Sequence, residues 1–241
     1  MSHKAGFVSI IGKPNVGKST LMNAILGEKI SIISPKVQTT RHRIKGILSK
    51  PGYQIVFSDT PGIIDPKYKL QGSMMKFVNE SIEDSDVVLF ITDPDKRNHD
   101  QELLDKIKLI KSPLVVVLNK IDTLKSEEVM QLIGYFQNEI ANAEVIPVSA
   151  LNKFNTESII QAILTKIPEA PSFYPEDQIT DKSEKFVAAE VLREKILMRY
   201  KEEIPYSVQI EITEFIEEPA IIKIMAEIYV MRESQKNYND R

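Results

Sequence analysis

Gly12-Lys-Pro-Asn-Val-Gly-Lys-Ser19 is the stretch that decides the fold of this 241-residue chain. It matches the G-x-x-x-x-G-K-[ST] pattern of a phosphate-binding loop, and it lies between a strand pattern at 7–11 and a helix pattern at 20–26. In that context, backbone N–H groups at the start of a helix face a phosphate. Lys18 would contact the β- and γ-phosphate oxygens, and the Ser19 hydroxyl would bind Mg²⁺. The alternative is a chance glycine turn.

Short apolar runs alternate with helical patterns on both sides of this loop. Runs that are apolar throughout, such as 113–118, are typical of strands covered by helices on both faces. The segments 44–48 and 54–58, separated by Lys50-Pro-Gly52, predict an antiparallel hairpin. We therefore expect an α/β domain over 1–167, with a mostly parallel six-stranded sheet. The predicted strands are 7–11, 44–48, 54–58, 87–92, 114–118 and 145–148, and the predicted helices are 20–26, 73–83, 100–110, 127–138 and 156–166.

The pattern changes after residue 167. Three prolines at 168, 171 and 175 indicate an extended linker over 168–180. Beyond it, 183–202 predicts a helix, and 207–215 and 221–230 predict two strands. Residues 181–241 are thus expected to form a second, α+β domain, which is mildly acidic because it holds 10 basic and 13 acidic residues.

Composition excludes several classes of site. The chain has no cysteine, which rules out disulfides, thiolate zinc sites and cysteine nucleophiles, and only three histidines. The formal charge of −3 gives no basic surplus that would indicate nucleic acid binding by the chain as a whole. The apolar runs are too short to cross a bilayer, and no signal-peptide pattern is present. We expect a soluble protein of the reducing cytoplasm.

Two further segments provide candidates for a magnesium site. Asp59-Thr-Pro-Gly62 follows a predicted strand, where Asp59 would hold Mg²⁺ through water and the Gly62 N–H would contact a γ-phosphate. Taken alone, Asp59-Thr-Pro-Gly62 is an ordinary strand-to-turn sequence, and that interpretation would be favoured. Between the two motifs, Thr39 and Thr40 are candidates for a threonine that binds Mg²⁺ only when a γ-phosphate is present, and we favour Thr40. The neighbouring 41–43 segment can equally form a solvated basic surface.

Asn119-Lys-Ile-Asp122 carries the nucleotide specificity. One carboxylate can accept both the N1–H and the N2–H₂ of guanine, whereas adenine presents no such pair, so Asp122 predicts guanine. A helix-capping aspartate is the alternative. Ser149-Ala-Leu151 would direct backbone N–H groups at guanine O6. All four motifs follow predicted strands in order, and this order supports the nucleotide-site interpretation over the separate alternatives.

These motifs resemble those of the Era family of bacterial ribosome-assembly GTPases. The resemblance includes Gln38-Thr-Thr-Arg-His-Arg43 in the first domain. Beyond the linker it continues in Ala189-Glu-Val-Leu-Arg-Glu-Lys195, Glu203-Ile-Pro-Tyr-Ser-Val208 and Tyr229-Val-Met-Arg-Glu-Ser-Gln-Lys236. It implies a P-loop GTPase domain followed by a type II KH-like domain, here C-terminally incomplete.

The resemblance also implies the activity, the partners and the roles of individual residues. It implies GTP binding and hydrolysis with Mg²⁺, small ribosomal subunit assembly through 16S rRNA, and a cytoplasmic monomer with peripheral association at the inner face of the cell membrane. The implied catalytic residues are Lys18, Thr40 and Gly62, and the implied metal ligands are Ser19, Thr40 and Asp59. The implied nucleotide-binding residues are Gly12, Lys13, Pro14, Asn15, Val16, Gly17, Lys18, Ser19, Thr20, Asp59, Thr60, Pro61, Gly62, Ile63, Asn119, Lys120, Ile121, Asp122, Ser149, Ala150 and Leu151.

Three particulars bear on mechanism. Ile63 stands where Ras-like enzymes have a glutamine that positions the attacking water, so slow hydrolysis without activation is expected. Asn15 matches an asparagine that coordinates K⁺ in related GTPases, which makes K⁺ a further candidate cofactor. No glycine follows Gly134, so the G-x-x-G loop of a KH domain is missing, which argues against direct RNA binding by 181–241.

Two other functions stay open at this point. One is a nucleotide-dependent binding module with negligible hydrolysis and no direct RNA binding. The other is a related GTPase of the tRNA-modification or ribosome-assembly kind that acts without RNA contact, against which the C-terminal sequence matches argue.

Overall fold

A computed structural model describes residues 3–36, 39–66, 69–141, 143–200 and 208–230 of the chain. It divides into two compact units, the first of 1–31 and 40–181 and the second of 32–39 and 182–241. No helix in these described ranges is long and apolar enough to cross a membrane.

The first unit contains a six-stranded sheet with helices on both faces. Its strands are β1 (Lys4–Ile11), β2 (Ile44–Lys50), β3 (Tyr53–Asp59), β4 (Val87–Thr92), β5 (Leu114–Leu118) and β6 (Glu144–Pro147). Its helices are α1 (Lys18–Leu26), α2 (Lys69–Glu83), α3 (Gln101–Lys108), α4 (Ser126–Glu139) and α5 (Thr156–Leu164), with short 3₁₀ helices at Lys96–Asn98 and Ile121–Thr123.

The order of the strands is β2-β3-β1-β4-β5-β6. Only β2 is antiparallel to its neighbour, which confirms the predicted hairpin. The parallel strands bring the ends of β1, β3, β4, β5 and β6 to one edge of the sheet, where the loops that follow them meet.

Burial on both faces explains the apolar strand runs. Every residue of β4 is buried, and its residues alternate between two packed layers. Val88 and Phe90 join a core that includes Leu104 of α3 and Phe136 of α4. On the opposite face, α1 contacts β2, β3 and α5. The strands therefore form a rigid frame for the loops at their ends.

Residues 168–181 belong to the first unit rather than standing apart as a linker. The buried Gln54 carboxamide binds this segment: its oxygen accepts hydrogen bonds from the N–H groups of Phe173 and Tyr174 at 2.8 and 3.0 Å. Further along, Ile47 of β2 donates its N–H to the Ile179 carbonyl at 2.9 Å. The segment that contains the three prolines thus runs along the surface of the first unit, where hydrogen bonds hold it.

The second unit consists of α6 (Glu184–Arg199), β7 (Gln209–Glu218) and β8 (Ile221–Tyr229), together with 32–39. β7 and β8 pair antiparallel, with a register shift between Ile212 and Glu214, and α6 packs on β7. Arg193 of α6 pairs with Glu190 at 2.5 Å and donates to the Thr39 carbonyl at 2.5 Å. The helix predicted over 183–202 corresponds to α6, and its last two residues, 201 and 202, lie outside the described residues.

Candidate functional site

The loop between β1 and α1 has the backbone shape of a phosphate cradle. Asn15 and Gly17 have φ values of 64° and 100°, in the left-handed region that glycine adopts readily and asparagine tolerates. A Cβ on Gly17 would lie 2.2 Å from Nδ2 of Asn119, so only glycine fits there. α1 begins at Lys18, and the positive end of its dipole faces the loop. These features fit the binding of an anion.

Lys18 is buried within this loop. Its ammonium donates hydrogen bonds to the carbonyl oxygens of Gly12 and Lys13 at 3.2 and 2.8 Å. Burial lowers the pKa of Lys18 to about 8, and the nearby charge of Asp59 opposes that shift. An anionic ligand in the loop would raise the pKa again, so the site favours negatively charged ligands.

Ser19, Thr40 and Asp59 converge although they lie far apart in the chain. The Ser19 hydroxyl donates to Oδ2 of Asp59 at 2.6 Å and lies 3.1 Å from Oγ1 of Thr40, which itself lies 3.5 Å from the same carboxylate oxygen. Asp59 is fully buried, burial raises its pKa, and its Oδ1 has no hydrogen-bond partner among the described residues. Hydroxyl and carboxylate oxygens are the ligands that Mg²⁺ prefers, so these residues fit that ion.

Thr39 takes a different position from Thr40. Its hydroxyl donates to the Lys36 carbonyl at 2.6 Å, within the segment that belongs to the second unit. The geometry therefore brings Thr40, and not Thr39, to the oxygen cluster. Arg43 is also not free in solvent, since it pairs with Asp84 at 2.6 Å.

The segment after Asp59 lies directly against the phosphate loop. Thr60 donates its hydroxyl to the Ile10 carbonyl at 2.7 Å, and Ile63 donates its N–H to the Gly12 carbonyl at 2.9 Å. A Cβ on Gly62 would lie 2.6 Å from the backbone nitrogen of Pro14, so this approach requires glycine. Ile63 packs against the apolar core and offers no polar side-chain atom to a water molecule.

Asn119 joins three loops at the end of β5. Its side-chain amide donates to the Val16 carbonyl at 2.8 Å, and its oxygen accepts from the Ala150 N–H at 2.9 Å. Oδ1 of Asp122 accepts a hydrogen bond from the Ser149 hydroxyl at 2.5 Å, which fixes that carboxylate. The predicted residues of the phosphate loop, 119–122 and 149–151 thus meet in one place, although the side chain of Leu151 is exposed.

Comparison with known proteins identifies the family. Residues 7–120 match a family described as a 50S ribosome-binding GTPase. A crystal structure of Era in complex with MgGDPNP and nucleotides 1506–1542 of 16S ribosomal RNA superimposes with a TM-score of 0.90 and 41% identity, covering 98% of this chain and 82% of that one. A variant of Aquifex aeolicus Era bound to GDP and AlF₄⁻ gives a TM-score of 0.91 with the same identity and coverage. The chain belongs to the Era family.

Membership in the Era family confirms the predicted fold class, because the match extends through both units of the described structure. The Era structures extend beyond this match by about a fifth of their length.

One residue of the site was missed by the sequence analysis. Asp93 follows β4 directly and is buried, and its Oδ2 accepts a hydrogen bond from the Lys120 ammonium at 2.6 Å. Asp93 lies outside the four nucleotide-binding motifs. Its place after an apolar strand, at the edge where the other site residues lie, is the signal that could have identified it.

Proposed function

We propose that this Era-family protein is a molecular switch that binds and hydrolyses GTP. The observation that carries the proposal is the convergence of Ser19, Thr40 and Asp59 beside the buried ammonium of Lys18. Hydroxyl and carboxylate oxygens on one side, and a cation with backbone N–H groups on the other, fit a magnesium-bound triphosphate. The Era relatives were crystallised with MgGDPNP and with GDP and AlF₄⁻, which supports the same ligand class.

In the proposed mechanism, Ser19 and Thr40 would hold Mg²⁺ directly, and Asp59 would hold it through water. The ion neutralises negative charge on the phosphates when it is bound. Lys18 and the loop N–H groups stabilise the charge that develops on the transferred phosphoryl oxygens. The Gly62 N–H contacts the γ-phosphate, which is the group that distinguishes GTP from GDP.

Asp122 selects the base. Its carboxylate, held by Ser149, accepts hydrogen bonds from N1–H and N2–H₂ of guanine, whereas adenine offers no such pair of donors. Asn119 braces the loops that carry these contacts. Replacing Asp122 with asparagine should favour xanthine nucleotides, because the amide can donate to the oxygen at position 2 of that base.

Intrinsic hydrolysis is slow in this proposal. Ile63 packs against the apolar core and supplies no side-chain group that orients the attacking water. A bound partner, or backbone groups moved by one, would supply that orientation.

The test measures phosphate release from GTP by the unmodified chain and by Lys18→Ala and Asp122→Asn. We expect slow GTP turnover, its loss in the Lys18 variant and a shift to XTP in the Asp122 variant. Equal turnover of ATP and GTP, or turnover that survives Lys18→Ala, would contradict the proposal.

We further propose that the biological setting is assembly of the small ribosomal subunit. The Era relative bound to a 16S rRNA fragment supports this setting. A labelled 16S 3′-end oligonucleotide and intact small subunits, each added to the chain, separate the cases. Subunit-stimulated hydrolysis supports the switch, whereas nucleotide-dependent binding without hydrolysis supports a binding module.

The proposed location is the cytoplasm, with peripheral association at the inner face of the cell membrane, and the proposed state is a monomer. Co-sedimentation with vesicles of bacterial inner-membrane lipids tests the first, and sedimentation equilibrium tests the second.

A further inference from the structure

The carboxylate of Asp93 is anchored on both oxygens. Oδ1 accepts hydrogen bonds from Nδ2 of Asn98 at 2.7 Å and from the N–H of Asp95 at 3.1 Å. Oδ2 accepts from the Lys120 ammonium at 2.6 Å. The side chain of Asp93 is 5% exposed, whereas that of Lys120 is 41% exposed. The Asp93 carboxylate is therefore held in place independently of its ion pair with Lys120.

Lys120 is held from a second direction as well. Its ammonium donates to the Asn15 carbonyl of the phosphate loop at 2.6 Å, and its backbone has a φ of 63°. An exposed ion pair usually contributes little, because two long side chains lose freedom when it forms. Here Asp93 is already held by Asn98 and Asp95, so it loses no side-chain entropy when the pair forms. Its charge therefore serves to position the Lys120 ammonium.

We propose that Asp93 is a positioning residue for guanine nucleotide binding, acting through Lys120. Fixing the ammonium between β4 and the phosphate loop extends the alkyl chain of Lys120 across the space beside Asp122, where it covers one face of the base. This inference rests on the proposed function. In this proposal Asp93 prolongs the lifetime of the bound nucleotide, whereas Asp122 selects the base.

The division of roles follows from which part of the base each residue contacts. The Lys120 alkyl chain covers a ring face, which guanine and hypoxanthine share. Asp122 contacts the ring edge, where only guanine carries the N2 amine. Loss of Asp93 should therefore weaken GDP and IDP equally, whereas loss of Asp122 should change their ratio.

The experiment measures dissociation of fluorescently labelled GDP and IDP from the full chain with Mg²⁺. We expect Asp93→Asn to speed release of both nucleotides roughly tenfold, because a charge-assisted hydrogen bond is lost. Lys120→Met should do the same, and the double variant should release no faster than Lys120→Met alone. An effect of Asp93→Asn that multiplies with that of Lys120→Met would overturn the inference, since Asp93 would then act by another route.

Glu144→Gln is the matched control. Glu144 pairs with Lys166 at 2.7 Å, and it begins β6, so it lies at the opposite end of the sheet from the nucleotide site. Its removal should leave release rates unchanged. If Asp93→Asn fails to fold, Asn98→Ala loosens the same carboxylate without touching the ion pair, and its effect should also disappear in the Lys120→Met background.

The two proposals fail differently. An unmodified chain that does not bind labelled GDP would overturn the proposed function and this inference with it. An unmodified chain that binds GDP, with release unchanged by Asp93→Asn, would overturn this inference alone.

Discussion

The Ser19 hydroxyl lies 2.6 Å from Oδ2 of Asp59, although 40 positions separate the two residues in the chain. The parallel register of β1 and β3 causes this, because it pairs Ile10 with Asp59 and brings the end of β3 beside the phosphate loop. Sheet topology thus joins a hydroxyl to a buried carboxylate whose second oxygen has no hydrogen-bond partner among the described residues. The proposed magnesium site therefore depends on the arrangement of the strands as much as on the motifs.

Thr40→Ala should slow GTP hydrolysis roughly 10- to 100-fold, because a proposed Mg²⁺ ligand is lost. Its effect on GDP affinity should be small, since Thr40 is proposed to bind Mg²⁺ only when a γ-phosphate is present. Single-turnover phosphate release and GDP titration measure the two effects. Thr39→Ala is the matched control, because that hydroxyl bonds to the Lys36 carbonyl instead, and equal loss in both variants would contradict the assignment.

GDP affinity should fall as the pH rises through about 8. The pKa of buried Lys18 is lowered to about 8, so above that pH the free protein carries a neutral amine. Phosphate binding requires the ammonium and raises its pKa, so binding takes up a proton there. Titration calorimetry in buffers of different ionisation enthalpy detects that proton, and its absence would contradict the burial-based assignment. Lys18→Arg should lose this proton uptake, because guanidinium stays charged.

We propose that Asn15 contributes to a K⁺ site, so potassium should accelerate hydrolysis relative to sodium. Asn15→Gly removes the side chain while keeping a residue that tolerates the φ of 64°. It also keeps the carbonyl that accepts from Lys120. We expect the variant to lose the potassium effect and retain GDP binding. Equal turnover in Na⁺ and K⁺ by the unmodified chain would count against the proposal.

Gly17→Ala should destabilise the protein and abolish nucleotide binding. The new Cβ would lie 2.2 Å from the Asn119 amide, at a φ of 100°. Gly52→Ala, at a φ of 89° with nothing within 4 Å, is the control that carries the backbone strain alone. We expect a loss of about 1 kcal/mol for Gly52→Ala and about 2–4 kcal/mol for Gly17→Ala by chemical denaturation. Similar losses would show that strain, and not contact, governs Gly17.

Gln54→Leu should destabilise the first unit by about 2–4 kcal/mol, because the N–H groups of Phe173 and Tyr174 lose the buried Gln54 oxygen as their acceptor. Limited proteolysis should then cut within 168–181. Gln161→Leu, on the exposed face of α5, should change stability by less than about 0.5 kcal/mol. Resistance of the Gln54 variant to proteolysis would contradict the anchoring role.

The sequence predicted those features that depend on periodic burial or on local motifs. Strands such as β4 are buried on both faces, so the sequence shows them as continuous apolar runs. The phosphate loop is recognisable from the spacing of its glycines. The two threonines at 39 and 40 are adjacent, and only the folded chain distinguishes them. Asp93 has no motif of its own, because its role depends on Asn98 and Lys120 reaching it through the fold.

The position of 168–181 was equally inaccessible from the sequence. Its prolines are typical of a linker, and nothing periodic indicates that Gln54 binds it. The assignment of 32–39 to the second unit likewise depends on individual contacts, such as that between Arg193 and the Thr39 carbonyl.

The course of 179–181 along β2 has a consequence for how the protein behaves in a crowded solution. β2 is the outermost strand of the six-stranded sheet, and such a strand can recruit a strand from another molecule. The N–H groups of Lys45 and Ile47 are instead bonded to Asp181 and Ile179, and the Lys45 carbonyl accepts from Thr180. The domain thus covers its own sheet edge with a piece of its own chain. Proteolytic cleavage that released 179–181 would expose the unpaired edge of β2. We expect aggregation through that edge before any loss of the nucleotide site.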